Sequence, residues 1–160
     1  MSRCCEINYL ICNKMCYLVY ISTDFEGNLS QHNSALISFE KDFTNCEPEI
    51  IDLLLYKYHW YVGSKAGCSC TFRHLSSIEL GFGEPVYWYE ETLDEIEATK
   101  IFYDEISSLI SQGNKADCID IWAGTKRDQI KRFEVDLSSV PRDAFRFFEN
   151  HHFVFNNAKR

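Results

Sequence analysis

The sequence predicts an α+β fold: a single mixed, largely antiparallel β-sheet with two helices packed on one face. Three observations lead there. The run 16–22 (C-Y-L-V-Y-I-S) is β-branched and aromatic and apolar at nearly every position, as a central strand covered on both faces would be. Further strand-like runs recur along the chain without a regular β-α alternation. Two segments carry helix-start chemistry.

The elements follow in order. Residues 1–14 have weak patterning and read as a loosely ordered leader, with Met15 an alternative start; 15–160 form one domain. After the first strand, 24–33 is polar and reads as a loop, and 35–39 is a short second strand. Glu47-Pro48-Glu49 opens a helix to about Tyr56, because proline suits the first helical position and acids suit a helix N-terminus. The runs 59–63 and 68–75 form a hairpin, with Gly67 supplying the positive φ of its turn. Residues 76–91 are irregular.

Thr92 and Glu95 make a capping box for the second helix. Its stripe is Ile96, Thr99, Phe102, Tyr103, Ile106, Leu109 and Ile110, and Gly113 closes it. Strands follow at 116–122 and 131–137. A last strand spans 145–155.

A chain of 160 residues can bury a core of its own. Its net charge is −8, and the charge is uneven. Residues 76–120 hold eleven acids and two bases, whereas 121–160 hold eight bases and five acids. That balance argues against nucleic-acid binding, which needs a phosphate-neutralising surface. It suits a basic protein partner or a small, cationic ligand. No run approaches the ~20 apolar residues of a membrane span, and 1–14 lacks the pattern of a signal peptide. These features predict a soluble cytoplasmic protein. Its eight cysteines are then reduced thiols, most of them small core residues.

Reactive side chains are densest at 59–75, H-W-Y-V-G-S-K-A-G-C-S-C-T-F-R-H-L. On a regular strand Cys68, Cys70 and His74 share one face. Spacing tests a metal reading. Two strand residues span about 6.8 Å and four about 13 Å, whereas zinc–ligand bonds are only ~2.0–2.3 Å. Cys68 and Cys70 can therefore bend toward one ion, but His74 cannot join them without a bulge or turn. A lone C-x-C is a weak signal, so no metal and no cofactor are assigned. A cysteine nucleophile paired with a histidine base works because the imidazole lowers the thiol pKa and takes its proton. His74 is too distant along the strand, and His59 is expected opposite Phe72. No catalytic residue is assigned.

Arg73 is expected either in an ion pair with Glu79 or Glu84, or as an anion-binding fork. The segment 81–91 (G-F-G-E-P-V-Y-W-Y-E-E) sets rings beside acids, a composition suited to contact surfaces. Trp88 and the C-x-C are expected to frame one pocket with Arg73 and Glu84 at its rim. The candidate binding residues are thus Cys68, Cys70, Arg73, His74, Glu84 and Trp88.

The runs W-Y-V-G-S-x-x-G-C-S-C-x-F-R-H-L at 60–75 and G-F-G-E-P-V-x-W-Y at 81–89 resemble a group of small uncharacterised bacterial proteins. The ending at 145–155 extends the likeness, which covers the chain from about residue 16. The resemblance implies no activity. The expected function is that of a binding or interaction protein, using the 63–75 hairpin and the 81–91 loop as one surface. The alternative is a small thiol- or metal-dependent enzyme centred on Cys68 and Cys70 with a nearby histidine.

Overall fold

The first strand lies in the interior of the sheet, as its unbroken apolar run requires. A computed structural model describes residues 16–44, 46–65, 67–83 and 90–156. The chain order is β1 (Tyr17–Thr23), β2 (Ile37–Glu40), α1 (Pro48–Ile51), β3 (Tyr58–Ser64), β4 (His74–Leu75), α2 (Leu93–Ser111), β5 (Ala116–Trp122), β6 (Lys131–Asp136), β7 (Phe147–Phe148) and β8 (His151–Asn156). Six strands form one sheet in the order β2-β3-β1-β5-β8-β6. Every pairing in it is antiparallel except β6 with β8. The α+β class and the mixed, largely antiparallel sheet agree with the sequence. The expected leader, 1–14, lies outside the described residues.

The helices depart from expectation by dividing between the two faces. Side chains alternate along a strand, so β1 sends Val19 and Ile21 one way and Leu18 and Tyr20 the other. Val19 and Ile21 pack with Phe102, Ile106 and Leu109 of α2. Leu18 and Tyr20 pack with Ile50 of α1 and with Ile119 and Ile121 of β5. A strand apolar on both faces needs a cover on each, and one helix on each side supplies it.

The long helix begins and ends as its sequence requires. Thr92 accepts from the Glu95 amide while the Glu95 carboxylate accepts from the Thr92 amide, the full capping box. Gly113 takes φ +89°, and the amides of Gly113 and Asn114 return to the carbonyls of Ile110 and Leu109. The buried stripe is Ala98, Thr99, Phe102, Ile106 and Leu109.

The short helix stops four residues in, although an apolar run continues to Leu55. The reason lies in the sheet. The Leu55 amide donates to Asp117 Oδ2 at 2.9 Å, and the Tyr56 amide donates to Ser22 Oγ at 3.0 Å. Those side chains draw the two amides away from helical carbonyls.

The expected hairpin is also rebuilt. The turn after β3 forms, with Gly67 at φ +82° and its amide on the Ser64 carbonyl at 2.8 Å. The return strand does not. Both edges of β3 are already taken, by β1 and β2, so 68–75 has no ladder to join. It folds instead into a 3-10 turn, Ser69–Thr71, and then pairs β4 in parallel with β7. The last expected strand is cut in two at Glu149 and Asn150, where Asn150 adopts φ +60°. That bend lets β7 reach β4 while β8 stays in the main sheet.

Candidate functional site: a thiol cluster at the head of the central strand

Ser69 builds the site. Its hydroxyl accepts from the Val19 amide at 2.8 Å and donates to the Val62 carbonyl at 2.6 Å. The side chain is thus a wedge between β1 and β3 at the start of their ladder, and it is fully buried. The loop before it is equally constrained. The Ser64 amide and hydroxyl both donate to the Cys68 carbonyl, at 2.8 and 2.6 Å, and the Thr71 amide donates to Ser64 Oγ at 2.9 Å.

Ser69 lies between Cys68 and Cys70, so pinning it fixes both cysteines over the head of β1. Cys16 immediately precedes that strand. The sulfurs of Cys16, Cys68 and Cys70 all lie within 4.8 Å of one another. Cys16 and Cys68 are buried and Cys70 is partly exposed. The strand-spacing argument captured the possible meeting of Cys68 and Cys70 but rested on an extended chain. The observed 3-10 turn draws them together by another route and adds Cys16, which sequence reasoning missed. The thiol of Cys70 is held well above its ordinary pKa. The hydrogen bond with Cys68 contributes most, then burial and the charge of Cys68, while a hydrogen bond from the Tyr17 backbone acts the other way.

His74 lies behind the cluster, engaged elsewhere. Its Nδ1 is 2.9 Å from Asp120 Oδ2 and its Nε2 is 2.7 Å from the Ser69 carbonyl oxygen. A carbonyl only accepts, so Nε2 carries a hydrogen. The Tyr17 ring stacks on the imidazole, with centroids 3.8 Å apart and planes 5° from parallel. The Tyr17 hydroxyl donates to Glu149 Oε2 at 2.8 Å. Asp120 is fully buried, and burial raises its pKa against the opposing effect of His74. Its Oδ1 has no hydrogen-bond partner among the described residues. His59, expected opposite Phe72, instead pairs across from Ser22, with its Nε2 2.7 Å from the Tyr56 carbonyl oxygen.

Arg73 lies in a buried ion pair with an acid that the sequence reading did not name. Of the expected partners, Glu84 lies outside the described residues; the Arg73 Nε donates not to Glu79 but to Glu91 Oε2, at 2.8 Å. Arg146 Nε donates to the other oxygen of the same carboxylate, at 3.0 Å. All three side chains are buried. Arg73 Nη1 also serves the carbonyls of Asp143 and Phe145, and Arg146 Nη1 serves that of Gly83. The set ties the start of α2 to the chain entering β7. Glu84 and Trp88 lie outside the described residues, as does the pocket rim they were expected to form.

A separate cleft of about 620 Å³ opens beside β2 and β3, lined by Glu26, Phe39, Glu40, Lys41, Tyr58 and Trp60. Lys41 Nζ sits 3.7 Å from the centre of the Trp60 ring, a cation–π contact that occupies the aromatic wall. Among the described residues no helix is long and apolar enough to cross a membrane. No family model, no curated protein and no solved structure matches the chain.

Proposed function

We propose that the protein is a small binding protein rather than an enzyme, and that Cys16 and the 63–75 segment form its binding element. The supporting observation is the grouping of three sulfurs within 4.8 Å around a loop pinned by Ser69. A nucleophilic cysteine is activated by an imidazole placed to take its proton or by surroundings that lower its pKa, and the surroundings of Cys70 raise it. Here His74 directs one nitrogen to Asp120 and the other to a backbone carbonyl. A rigid cluster with no imidazole poised on it among the described residues favours holding a ligand over turning one over. The acidic middle of the chain favours a basic protein or a small cationic ligand.

Site-resolved alkylation tests the reading. The reduced chain is treated with iodoacetamide at neutral pH and the labelled positions are followed by mass spectrometry. Cys70 should react no faster than a cysteine in an unstructured peptide. A rate more than about tenfold above that reference would mark an activated thiolate and overturn the proposal.

A further inference from the structure

We propose that Cys16, Cys68 and Cys70 bind one thiophilic d10 metal ion, zinc(II) foremost, through three thiolates, with a fourth ligand completing the coordination. This rests on the reading of the segment as a binding element and names its ligand.

Geometry comes first. Zinc–sulfur bonds of about 2.3 Å at tetrahedral angles place neighbouring sulfurs about 3.8 Å apart. The three sulfurs already lie within 4.8 Å of one another, so each edge need contract by at most about 1 Å. The backbone that carries them is fixed independently of any ion. Ser69 is held by two strands, and Cys68 is held through its carbonyl by Ser64. Little ordering of the loop then remains to oppose binding.

Ligand chemistry selects the ion. The cluster found among the described residues is three sulfurs, which disfavours magnesium and calcium, whereas thiolates favour zinc and copper(I). Charge separates those two. Three thiolates carry −3, so zinc(II) leaves −1 and copper(I) leaves −2 in a site where Cys16 and Cys68 are buried. The smaller residual charge costs less to bury. The Tyr17 backbone hydrogen bond to Cys70 supports a sulfur that becomes negative. His74, bonded to the Ser69 carbonyl between the two cysteines, braces the same loop from behind. On binding, three S–H bonds break, three protons pass to solvent and three metal–sulfur bonds form. No electron is transferred.

The test uses the full chain, reduced and stripped of metal. It is titrated with zinc(II), and metal content and released protons are counted. Cobalt(II) is then used as a spectroscopic substitute. One ion per chain and up to about three protons per ion are expected, with sulfur-to-cobalt charge transfer of three-thiolate intensity. C68S and C70S should each weaken binding by about tenfold or more, with unfolding curves confirming that the variants remain folded, whereas C46S should bind as the parent does. The cobalt spectrum of the parent counts thiolates without relying on any variant. Absence of uptake, a spectrum of fewer than three thiolates, or uptake indifferent to C68S and C70S would overturn the assignment. If uptake fails while Cys70 alkylates slowly, only the metal assignment falls. If Cys70 alkylates more than about tenfold faster than the peptide thiol, the binding reading falls, and with it the metal assignment.

Discussion

The Ser69 hydroxyl accepts a hydrogen bond from the Val19 amide at 2.8 Å and donates one to the Val62 carbonyl. One side chain thus replaces a rung of the ladder between β1 and β3. S69A would leave a buried donor and a buried acceptor without that partner. The expected cost is about 1–3 kcal/mol, read as a lower urea midpoint at unchanged slope. An unchanged midpoint would mean that the strands close on each other without the wedge.

The shared carboxylate of Glu91 gives a contrast between buried and exposed charge. E91A strands two buried guanidinium groups, those of Arg73 and Arg146, and should cost about 3–5 kcal/mol. The Arg132–Glu134 pair is more than half exposed on both sides, so R132A should cost under about 1 kcal/mol. Paired denaturation curves measure both. Equal costs would show that Glu91 is not the keystone of a buried set.

What the sequence revealed, and what it hid, follows from the range of each interaction. The caps of α2 were legible because Thr92, Glu95 and Gly113 act within a few residues of the backbone they satisfy. The central placement of β1 was legible because burial on both faces writes apolar residues into nearly every position, Tyr17 to Ile21 in succession. The hairpin was misread because local turn chemistry at Gly67 is the same whether or not a ladder edge is open beyond it. Only the pairing of β3 with β1 and β2, both earlier in the chain, closes its two edges. The site shared this fate. Cys68 and Cys70 were visible as a motif, but Cys16 joins them through Ser69, fifty residues from the strand it wedges. Glu91 as the partner of Arg73 was hidden behind nearer acids. A carboxylate at the foot of a capped helix was the one available signal.

Asp120 should make stability depend on pH. Its folded carboxyl is raised from an ordinary value of 3.8, with burial the leading cause. A raised value means that the fold favours the protonated form. That contribution is whole below the ordinary value and is lost as pH rises through the folded one. The groups acting on it are His74, Glu149 and His151; Cys118, two residues back on β5, is itself raised by burial and then by the charge of Asp120. D120N cannot titrate. The stability of the parent minus that of D120N should therefore fall as pH rises from about 3.8, by at most about 1.4 kcal/mol per pH unit, and then level off. A flat difference across that window would mean that Asp120 does not change its protonation there.

Asp117 should control the end of α1 from within the sheet. Its Oδ2 accepts from His152 Nε2 at 2.7 Å and from the Leu55 amide at 2.9 Å, and its Oδ1 accepts from the Ser22 hydroxyl. Ser22 in turn accepts the Tyr56 amide. One buried carboxylate therefore fixes the chain between α1 and β3, directly at one residue and through Ser22 at the next. D117A strands those donors, at about 1–3 kcal/mol for each that finds no other partner. The loss should also be local. Amide exchange at Leu55 and Tyr56 should accelerate by more than about tenfold relative to amides in the middle of α2, because their opening no longer requires global unfolding. Ile50 remains packed against Leu18 and Tyr20, so its own burial should persist. Uniform acceleration across both helices would place Asp117 in the general stability of the sheet and remove its particular role in ending α1.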